Sequence, residues 1–379
     1  MAKANPFSPT FGASPPVLAG RDDILTDIDD ALEVGPTHPD YTSLFVGVRG
    51  AGKTVMLNAV EDLARERGWL TISENASPTG LLERMLRATR EHMTSMQDPT
   101  ARRRLSGVAA AGFGVEFDVV DATDEPPDLR RSLTALGDVL AERDSGLIIT
   151  VDELQSGDLD ELREFGGVLQ HVTRREQRPI AFAGAGLPQI EGTLLADQAA
   201  TFLQRCSRHD IDRLGDEATA RALSGPIEER GGRIDDESLS RAVEATSGYA
   251  FMVQLVGFHT WKAAADPVAG ITHQEVEKGI AEAETRIGRL VLAPTWRTLS
   301  DVDRRFLIAM ARDDGDSHLA DIAARLEVDV GYAGVYRHRL LGAGMIVATG
   351  RGRIDFAHHA TREWLRDEAA YAAANFPDD

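Results

Sequence analysis

The sequence predicts an α/β fold built on a parallel β-sheet, followed by an all-helical region and then by a region of short helices and strands. Two observations carry this prediction. Between residues 43 and 183, short apolar runs alternate with amphipathic helical patterns, as expected for parallel strands that are covered by helices on both faces. Beyond Asp210, helical patterns replace the apolar runs.

The length of the chain indicates more than one domain. With 379 residues, of which 42% are hydrophobic, the chain can form two or three separate cores, and wholesale disorder is excluded. The changes of pattern predict domains at residues 1–210, 211–293 and 294–379, with an insertion at about 97–128 in the first domain. In that insertion a basic turn spans Arg102 to Arg104, and residues 115–120 alternate like a strand of a hairpin.

The charge of the chain limits its partners. The 41 Lys and Arg residues against 61 Asp and Glu residues give a net charge of −20, so the overall field repels nucleic acid and anionic membranes. The single cysteine, Cys206, allows neither an intramolecular disulfide nor a cysteine-based zinc site, and we expect it to fill core space. Without a signal-like start or an apolar run of about 18 residues, the sequence favours a cytoplasmic protein without a membrane span.

Local patterns predict the elements of the first domain in order. The first 16 residues contain four prolines and are expected to form an extended strap. Helical spacing of Ile24, Ile28 and Leu32 predicts a helix over residues 21–34. Strands are predicted at 43–48, 69–72, 147–151 and 180–183, and further helices at 53–67, 78–96, 129–143 and 159–175.

The rest of the chain is predicted to be mainly helical. Four helices are expected at 216–229, 236–246, 250–265 and 272–290, and Pro294 marks the next boundary. Three shorter helices at 300–312, 319–326 and 332–341 precede two strands at 345–348 and 353–356. This last order predicts a helix–turn–helix followed by a wing. The pair His358-His359 is expected to begin a helix rather than to bind metal, because no second ligand cluster has zinc spacing.

One motif predicts a phosphate-binding loop. Residues 47–54 match the pattern G-x-x-x-x-G-K-[ST] and stand between a predicted strand and a predicted helix. Glycines allow the loop to point successive N–H groups at a phosphate, and the helix start adds its positive end. The lysine then reaches the β- and γ-phosphates, and the threonine hydroxyl binds Mg²⁺. The predicted ATP-binding residues of this loop are Gly47, Val48, Arg49, Gly50, Ala51, Gly52, Lys53 and Thr54.

A second acidic motif follows about 100 residues later. The apolar run from Leu147 to Val151 ends in Asp152 and Glu153. In phosphate-binding loop enzymes a carboxylate at this strand end holds Mg²⁺, and a second one can polarise the attacking water. We therefore predict Asp152 as a metal ligand together with Thr54, and Glu153 as the catalytic carboxylate.

These motifs resemble those of AAA+ ATPases, and the order of domains is similar to the origin-recognition-like branch and to STAND ATPases. The resemblance implies a P-loop NTPase sheet followed by an all-α lid and a winged-helix domain, with ATP and Mg²⁺ as ligands. Residues 16–21 resemble the segment that contacts adenine, which implies that Val17 and Leu18 lie near the base. Gln155, two residues after Glu153, also fits the family pattern.

The sequence departs from the family at several positions. The strand from Ile180 to Gly186 ends without the polar sensor residue that is usual in AAA+ proteins, so we expect slow turnover. Arg205 resembles an arginine finger, with Arg208 as a rival, and a finger implies self-association with ATP. In the predicted lid, the proline that STAND lids often carry after Gly248 is absent, and Arg241 is a weak candidate for a second sensor.

The predicted winged helix differs in charge from the rest of the chain. Between Val330 and Ile354 there is no acidic residue, and the interval contains four arginines that are candidates for contacts with duplex DNA: Arg337, Arg339, Arg351 and Arg353. The first pair falls on the predicted recognition helix, and the second pair falls at the wing tip. A winged helix that contacts protein instead would leave the same arginines solvated.

Three functions remain open at this point. The first is a slowly hydrolysing, ATP-dependent switch that contacts DNA, which the charge contrast favours. The second is a STAND-type signalling ATPase whose winged helix binds a protein, and the third is a nucleotide-gated scaffold with negligible hydrolysis. The absence of a polar sensor favours the second or the third function.

Overall fold

A computed structural model of the chain describes residues 4–10, 12–97, 128–197, 200–358 and 360–366. The predicted insertion at about 97–128, with its basic turn and hairpin, lies almost wholly outside the described residues.

The first part of the chain forms a five-stranded parallel sheet. Its strands are β1 (Thr42–Val46), β2 (Leu70–Asn75), β3 (Leu147–Asp152), β4 (Ile180–Gly186) and β5 (Ser207–Asp210), in the spatial order β2-β3-β4-β1-β5. Val46 of β1 lies opposite Gly186 of β4 and Asp210 of β5. The carboxyl ends of these three strands therefore meet at the edge where the glycine-rich loop begins. The predicted parallel α/β sheet is confirmed.

Helices cover both faces of this sheet because its three central strands, β3, β4 and β1, are buried on both sides. Ile148 of β3 packs into one core with Ala31 and Met56, whereas its neighbour Ile149 packs into the opposite core with Leu133. The helices are α1 (Asp22–Val34), α2 (Lys53–Glu66), α3 (Leu81–Gln97), α4 (Leu129–Ala141), α5 (Leu159–Leu169) and the short α6 (Thr201–Gln204).

A helical part follows the sheet. It comprises α7 (Asp216–Glu229), α8 (Asp236–Thr246), α9 (Ala250–Ala263) and α10 (His273–Ile287). Helix α9 packs closely on α10 and is buried along much of its length, including Met252, Val256 and Trp261. Phe7 from the N-terminal segment inserts into the same core, where it is 2% exposed. The helical part is therefore completed by a residue from the other end of the sequence.

The C-terminal part, residues 294–366, has its own core. Helices α11 (Ala293–Thr298), α12 (Asp301–Ala311), α13 (Leu319–Arg325) and α14 (Val330–Gly342) pack on a small antiparallel sheet of β6 (Ser317–His318), β8 (Arg353–Phe356) and β7 (Ile346–Gly350). Phe306, Ile322 and Phe356 are buried at its centre. The part also contacts the rest of the chain, because Arg213 donates hydrogen bonds to the carbonyls of Phe356 and Ala357 at 3.1 and 2.8 Å.

Several sequence expectations about individual elements need correction. Strand β5 was not predicted, because its residues Ser-Arg-His-Asp carry no apolar side chain and it lies at the edge of the sheet. Helices α5 and α10 are shorter than predicted, since each passes into a π-helical turn, at Gln170–Arg175 and Gly288–Leu292. Helix α11 and strand β6 were also not predicted. Among the described residues, no helix is long and apolar enough to cross a membrane.

Candidate functional site

The glycine-rich loop between β1 and α2 adopts the conformation that its glycines permit. Gly50 and Gly52 have φ angles of 76° and 102°, in the left-handed region that other residues rarely adopt. Gly47 is required for a different reason, because a Cβ atom there would lie 2.4 Å from the carbonyl oxygen of Ile211. Helix α2 begins at Lys53, so its first N–H groups point into the loop.

The lysine of the motif is held in a partly closed environment. Lys53 is 6% exposed, and its ammonium donates a hydrogen bond of 3.0 Å to the carbonyl of Val48 within the same loop. Burial lowers the pKa of this ammonium, while the carboxylates of Asp152 and Glu153 act in the opposite direction. A negative charge beside Lys53 would therefore be favoured, because it would stabilise a desolvated cation.

Helix α2 is fastened to strand β3 at two points. The hydroxyl of Thr54 donates to the carboxylate of Asp152 at 2.5 Å, and the hydroxyl of Thr150 donates to the carboxylate of Glu61 at 2.6 Å. Glu61 is 5% exposed, so the second bond is shielded from water. These two bonds fix the glycine-rich loop relative to the acidic end of β3. The role of Glu61 was missed in the sequence, since a glutamate on a helix is usually exposed.

The oxygens of Thr54 and Asp152 are suited to Mg²⁺. Hydroxyl and carboxylate oxygens are the hard ligands that this ion prefers, and Mg²⁺ is usually bound by one or two such groups together with substrate phosphates. Among the described residues there is no cluster of three or more His, Cys, Asp or Glu side chains that could hold a metal alone. The donor set thus fits an ion that arrives with a phosphate.

Glu153 is placed by an unusual backbone conformation. Its φ of 56° lies in the left-handed region, and its N–H donates to the carboxylate of Asp152 at 2.7 Å. The residue precedes a short 3₁₀ turn, Leu154–Ser156. A non-glycine residue in this region costs about 1 kcal/mol or more and is common at active sites. The side chain lines the same cavity as Lys53 and Thr54.

This cavity has a volume of 380 Å³ and is bounded by three distant parts of the chain. Val17 and Leu18 line it, together with Ser8 and Thr10 of the N-terminal segment. The start of α9 also lines it, as do Leu290, Val291, Pro294 and Thr295. Its size is within the range of small-molecule sites.

Two contacts from the helical part cover the glycine-rich loop. The hydroxyl of Tyr249 donates to the carbonyl of Arg49, and the N–H of Phe251 donates to the carbonyl of Gly50 at 3.2 Å. Tyr249 was not predicted as a site residue, because no local pattern relates it to a loop 200 residues earlier. It occupies the neighbourhood in which the family proline is absent, just after Gly248.

The N-terminal strap forms a further wall of the cavity. Phe7 is anchored in the helical part, where the side chain of Asn5 donates to the carbonyl of Phe258 at 2.9 Å. At its other end, the carbonyl of Gly12 accepts a 3.0 Å hydrogen bond from Asn58 of α2. The strap therefore connects the helical part to the phosphate-loop helix across the mouth of the cavity.

The two candidate finger residues lie away from this cavity. Arg205 is exposed and precedes β5, near the amino end of β1, where it lines a separate cavity with Thr42 and Arg174. Arg208 lies 3.8 Å from Glu191. Because Arg205 is at the edge of the sheet opposite the glycine-rich loop, it can act on a nucleotide only across a boundary between two subunits. Cys206 beside it is buried, and burial raises its pKa to about 12.

Arg241, the candidate for a second sensor, forms its contacts away from the cavity. Arg241 donates to Glu277 at 2.6 Å and is not among the described residues that line the 380 Å³ cavity. His358 is 6% exposed, and its imidazole stacks edge-on against Tyr249 with ring centroids 4.7 Å apart. It therefore belongs to the contact between the C-terminal and helical parts.

The structure divides the four C-terminal arginines into different environments. Arg339 forms a 2.9 Å ion pair with Asp303, and Arg353 forms a 2.6 Å ion pair with Asp316. Arg337 is half-buried, and its Nε has no hydrogen-bond partner among the described residues. Arg351 is exposed at the turn between β7 and β8. Two of the four side chains are thus already paired with a carboxylate.

Comparison with known proteins agrees with the fold. Residues 17–182 match the family model of the AAA ATPase domain, and residues 289–365 match a domain of unknown function (DUF8462). The first match contains the glycine-rich loop and the Asp152-Glu153 pair. This part of the chain is therefore an AAA ATPase domain, a class that binds nucleotide, usually with Mg²⁺.

Solved structures show the same fold over nearly the whole chain. The Walker-type ATPase PABY2304 of Pyrococcus abyssi has a TM-score of 0.65 at 14% identity, with 92% of this chain and 96% of that chain covered. The ORC2 protein of Aeropyrum pernix in its ADP form has a TM-score of 0.53 at 14% identity, with coverages of 96% and 98%. Cdc6p from Pyrobaculum aerophilum has a TM-score of 0.50 at 14% identity, with coverages of 95% and 97%.

These similarities confirm the P-loop NTPase fold and its likeness to Cdc6 and ORC proteins. No curated protein compared with the chain is significantly similar to it in sequence.

Proposed function

We propose that the chain is an ATP-binding switch that hydrolyses ATP slowly and transmits its nucleotide state to the C-terminal part. One observation carries this proposal: Lys53, Thr54 and Glu153 line a single cavity, and Thr54 is bonded to Asp152. The division into domains at 1–210, 211–293 and 294–379 belongs to the same proposal. In it the third domain is a winged helix, consistent with the order of α12, α13, α14 and the β7–β8 hairpin.

Each site residue has a defined role in this proposal. The triphosphate lies in the loop 47–54, with Lys53 at its β- and γ-phosphates, and the adenine lies near Val17 and Leu18. Thr54 and Asp152 hold Mg²⁺, which supplies charge neutralisation at the phosphates. Glu153 accepts a proton from a water whose oxygen attacks the γ-phosphorus. The bond from that phosphorus to the bridging oxygen breaks, and ADP and phosphate are released.

Slow turnover is expected because β4 ends in Gly184-Ala185-Gly186, which offers no polar side chain to the attacking water. A scaffold without hydrolysis is the limiting case of this proposal.

The first experiment separates binding from hydrolysis. Lys53→Ala should weaken ATP binding strongly in calorimetry, with Lys278→Ala, an exposed lysine on α10, as the matched control. Glu153→Gln should bind ATP but lose about 100-fold or more in turnover, with the exposed Glu164→Gln as control. Unchanged ATP affinity of Lys53→Ala would overturn the assignment of the loop, and parental turnover of Glu153→Gln would overturn the role of that carboxylate.

Transmission to the C-terminal part is supported by contacts at the loop itself. Gly344 follows α14 and packs closely on Val48. A Cβ atom added to Gly344 would lie 3.3 Å from the Cα atom of Val48. His358 stacks on Tyr249, which in turn bonds to Arg49. A change of the loop backbone on phosphate binding would therefore directly alter these contacts with the C-terminal part.

The partner of the C-terminal part is open between two candidates. Duplex DNA is favoured by the acid-free interval 331–353 with its four arginines in a chain of charge −20. A protein partner, as in STAND-type signalling, is favoured by the ion pairs of Arg339 and Arg353, which already satisfy two of the four cations. Salt dependence of binding separates the two candidates, as argued in the Discussion.

A further inference from the structure

The end of strand β4 is occupied by a side chain from another element. Gly186 has no side chain of its own, and a Cβ atom there would lie 3.0 Å from the side chain of Ile190 and 3.3 Å from the amide oxygen of Gln155. Gln155 stands on the 3₁₀ turn after β3, two residues beyond Glu153. The glycine therefore leaves space in which the Gln155 amide can reach the strand end.

The orientation of this amide follows from its partners. Its oxygen accepts a 2.9 Å hydrogen bond from the backbone N–H of Leu187, the first residue after β4. An N–H can pair only with the oxygen of the amide, so the NH₂ group must face the other way. It donates to the carboxylate of Glu153. Gln155 thus connects the carboxylate to the backbone at the end of β4.

The same strand end is also bonded to the glycine-rich loop. The N–H of Gly47 donates to the carbonyl of Gly186 at 3.3 Å, one residue before Leu187. A short path of hydrogen bonds therefore runs from the phosphate-binding loop through the end of β4 and the Gln155 amide to Glu153. A donor that bonds one carboxylate oxygen fixes the direction of the group and leaves the other oxygen to accept a proton from water.

We propose that Gln155 is the positioning residue for Glu153 in ATP hydrolysis, in the place where β4 itself supplies no polar side chain. This inference rests on the proposed function, because it needs Glu153 to act on the attacking water. A hydrogen bond to a charged group contributes about 1.5–3 kcal/mol. Its loss corresponds to a decrease in kcat of about 10- to 100-fold with little change in the affinity for ATP.

Two variants of the full-length chain separate positioning from mere support of the loop. Gln155→Met has a similar length but removes both hydrogen bonds. Gln155→Glu keeps an oxygen for the N–H of Leu187 but replaces the donor facing Glu153 by a like charge. Binding of ATP by calorimetry and the kcat of phosphate release are measured for both variants, for the parent and for Glu153→Gln, with thermal unfolding as the check of folding.

The expected result is that both Gln155 variants bind ATP as the parent does and lose kcat. Parental kcat in Gln155→Glu, with a loss in Gln155→Met, would show that only support of Leu187 matters and would overturn the inference. A kcat above that of the parent would also overturn it, because Gln155 would then restrain Glu153. If Gln155→Met fails to fold, Gln155→Glu decides alone.

The parent chain and the Glu153→Gln variant test the proposed function itself. If the parent chain binds ATP but does not hydrolyse it, hydrolysis is excluded from the proposed function. The role of Gln155 is then overturned as well. If the parent turns over ATP and Glu153→Gln does not, parental kcat in both Gln155 variants overturns the role of Gln155 alone.

Discussion

The phenolic hydroxyl of Tyr249 donates a hydrogen bond to the backbone carbonyl of Arg49, and its ring stacks on the imidazole of His358. One side chain of the helical part thus contacts both the phosphate-binding loop and the C-terminal part. A Cβ atom at Gly50 would lie 2.1 Å from the Tyr249 oxygen. The glycine of the loop is therefore needed for the tyrosine as well as for the backbone turn.

Tyr249→Phe removes only the hydroxyl of this contact. We expect the stacking on His358 to remain and the dissociation constant for ATP to rise about fivefold, which corresponds to the loss of about 1 kcal/mol. Calorimetric titration with ATP measures the change. Tyr41→Phe is the matched control, because the buried Tyr41 hydroxyl has no hydrogen-bond partner among the described residues. Equal affinities of the two variants would contradict a role of the Tyr249 hydroxyl in closing the site.

Phe7→Ala should release the N-terminal strap from the helical part. Phe7 is almost fully buried against α9, and a Cβ atom at Gly257 would lie 2.4 Å from its ring. Truncation of a buried phenylalanine costs about 3–5 kcal/mol, so the melting temperature should fall. The stabilisation of the protein by ATP should also decrease, because the strap lines the cavity.

Phe7→Leu, which keeps most of the buried volume, should lie close to the parent chain in both respects. Thermal unfolding with and without Mg²⁺-ATP measures both effects. An ATP-induced shift in Phe7→Ala as large as that of the parent would show that the strap does not contribute to the nucleotide site.

Arg205→Ala tests assembly. If Arg205 is an arginine finger, the chain should self-associate in Mg²⁺-ATP, and the variant should lose at least about 1000-fold in turnover while it still binds ATP. Arg208→Ala is the matched control, three residues away and already 3.8 Å from Glu191. Analytical ultracentrifugation together with the ATPase rate checks the prediction. A chain that stays monomeric at every concentration in Mg²⁺-ATP would argue against both arginines.

Binding of duplex DNA should depend steeply on salt if all four C-terminal arginines contact phosphate. Four contacts correspond to a slope of log affinity on log salt of roughly −3.6, and replacing Arg351 and Arg353 by alanine should reduce it by roughly 2. The exposed pair Arg143 and Arg175 provides a double-alanine control. Fluorescence titrations of the full chain with ATP at several salt concentrations measure the slope.

The ion pairs of Arg339 and Arg353 would have to open for this contact, so a slope nearer −2 would indicate that they stay closed. Absence of salt-dependent binding would remove the DNA candidate and leave a protein partner.

Cys206 should resist alkylation in the folded protein. Burial raises the pKa of its thiol to about 12, whereas an unfolded cysteine has a pKa of about 8.5. The thiolate is therefore scarce in the native state at pH 8, and labelling with iodoacetamide should require denaturant. Because the native pKa is the higher one, this thiol contributes to stability below about pH 8.5, and the contribution is lost as the pH rises towards 12. Rapid labelling of native protein would place Cys206 outside the core.

The parts of the site that could be predicted from the sequence are contiguous. The loop 47–54 and the pair Asp152-Glu153 each follow one apolar strand, so the pattern alone fixes their place at the carboxyl edge of the sheet. Tyr249 and Phe7 could not be predicted, because each reaches the site through packing between segments that are far apart in the chain. The partner of Gln155 could not be predicted either, since it is the backbone N–H of Leu187, which follows β4 and is 32 residues away in the chain.

The local charge count was a less reliable predictor of the functional surface than the sequence motifs were of the nucleotide site. The acid-free interval around α14 predicts a basic surface, yet Arg339 is paired with Asp303 of α12, 36 residues earlier. Asp303 is 3% exposed, so a local charge count could not identify it as a partner. Strand β5 likewise could not be predicted from its local composition. It carries no apolar side chain and is specified by backbone pairing with β1.

The contacts of Tyr249 and Gly344 fall on adjacent residues of the phosphate-binding loop, Arg49 and Val48. Two separate parts of the chain thus contact neighbouring residues of the same loop. Suppose that a molecule draws Gly344 away from Val48 and that nucleotide changes the affinity of the chain for this molecule by some factor. By thermodynamic linkage, the molecule then changes the affinity for nucleotide by the same factor. A titration of nucleotide affinity could therefore detect the natural partner of the C-terminal part before that partner's binding surface has been mapped.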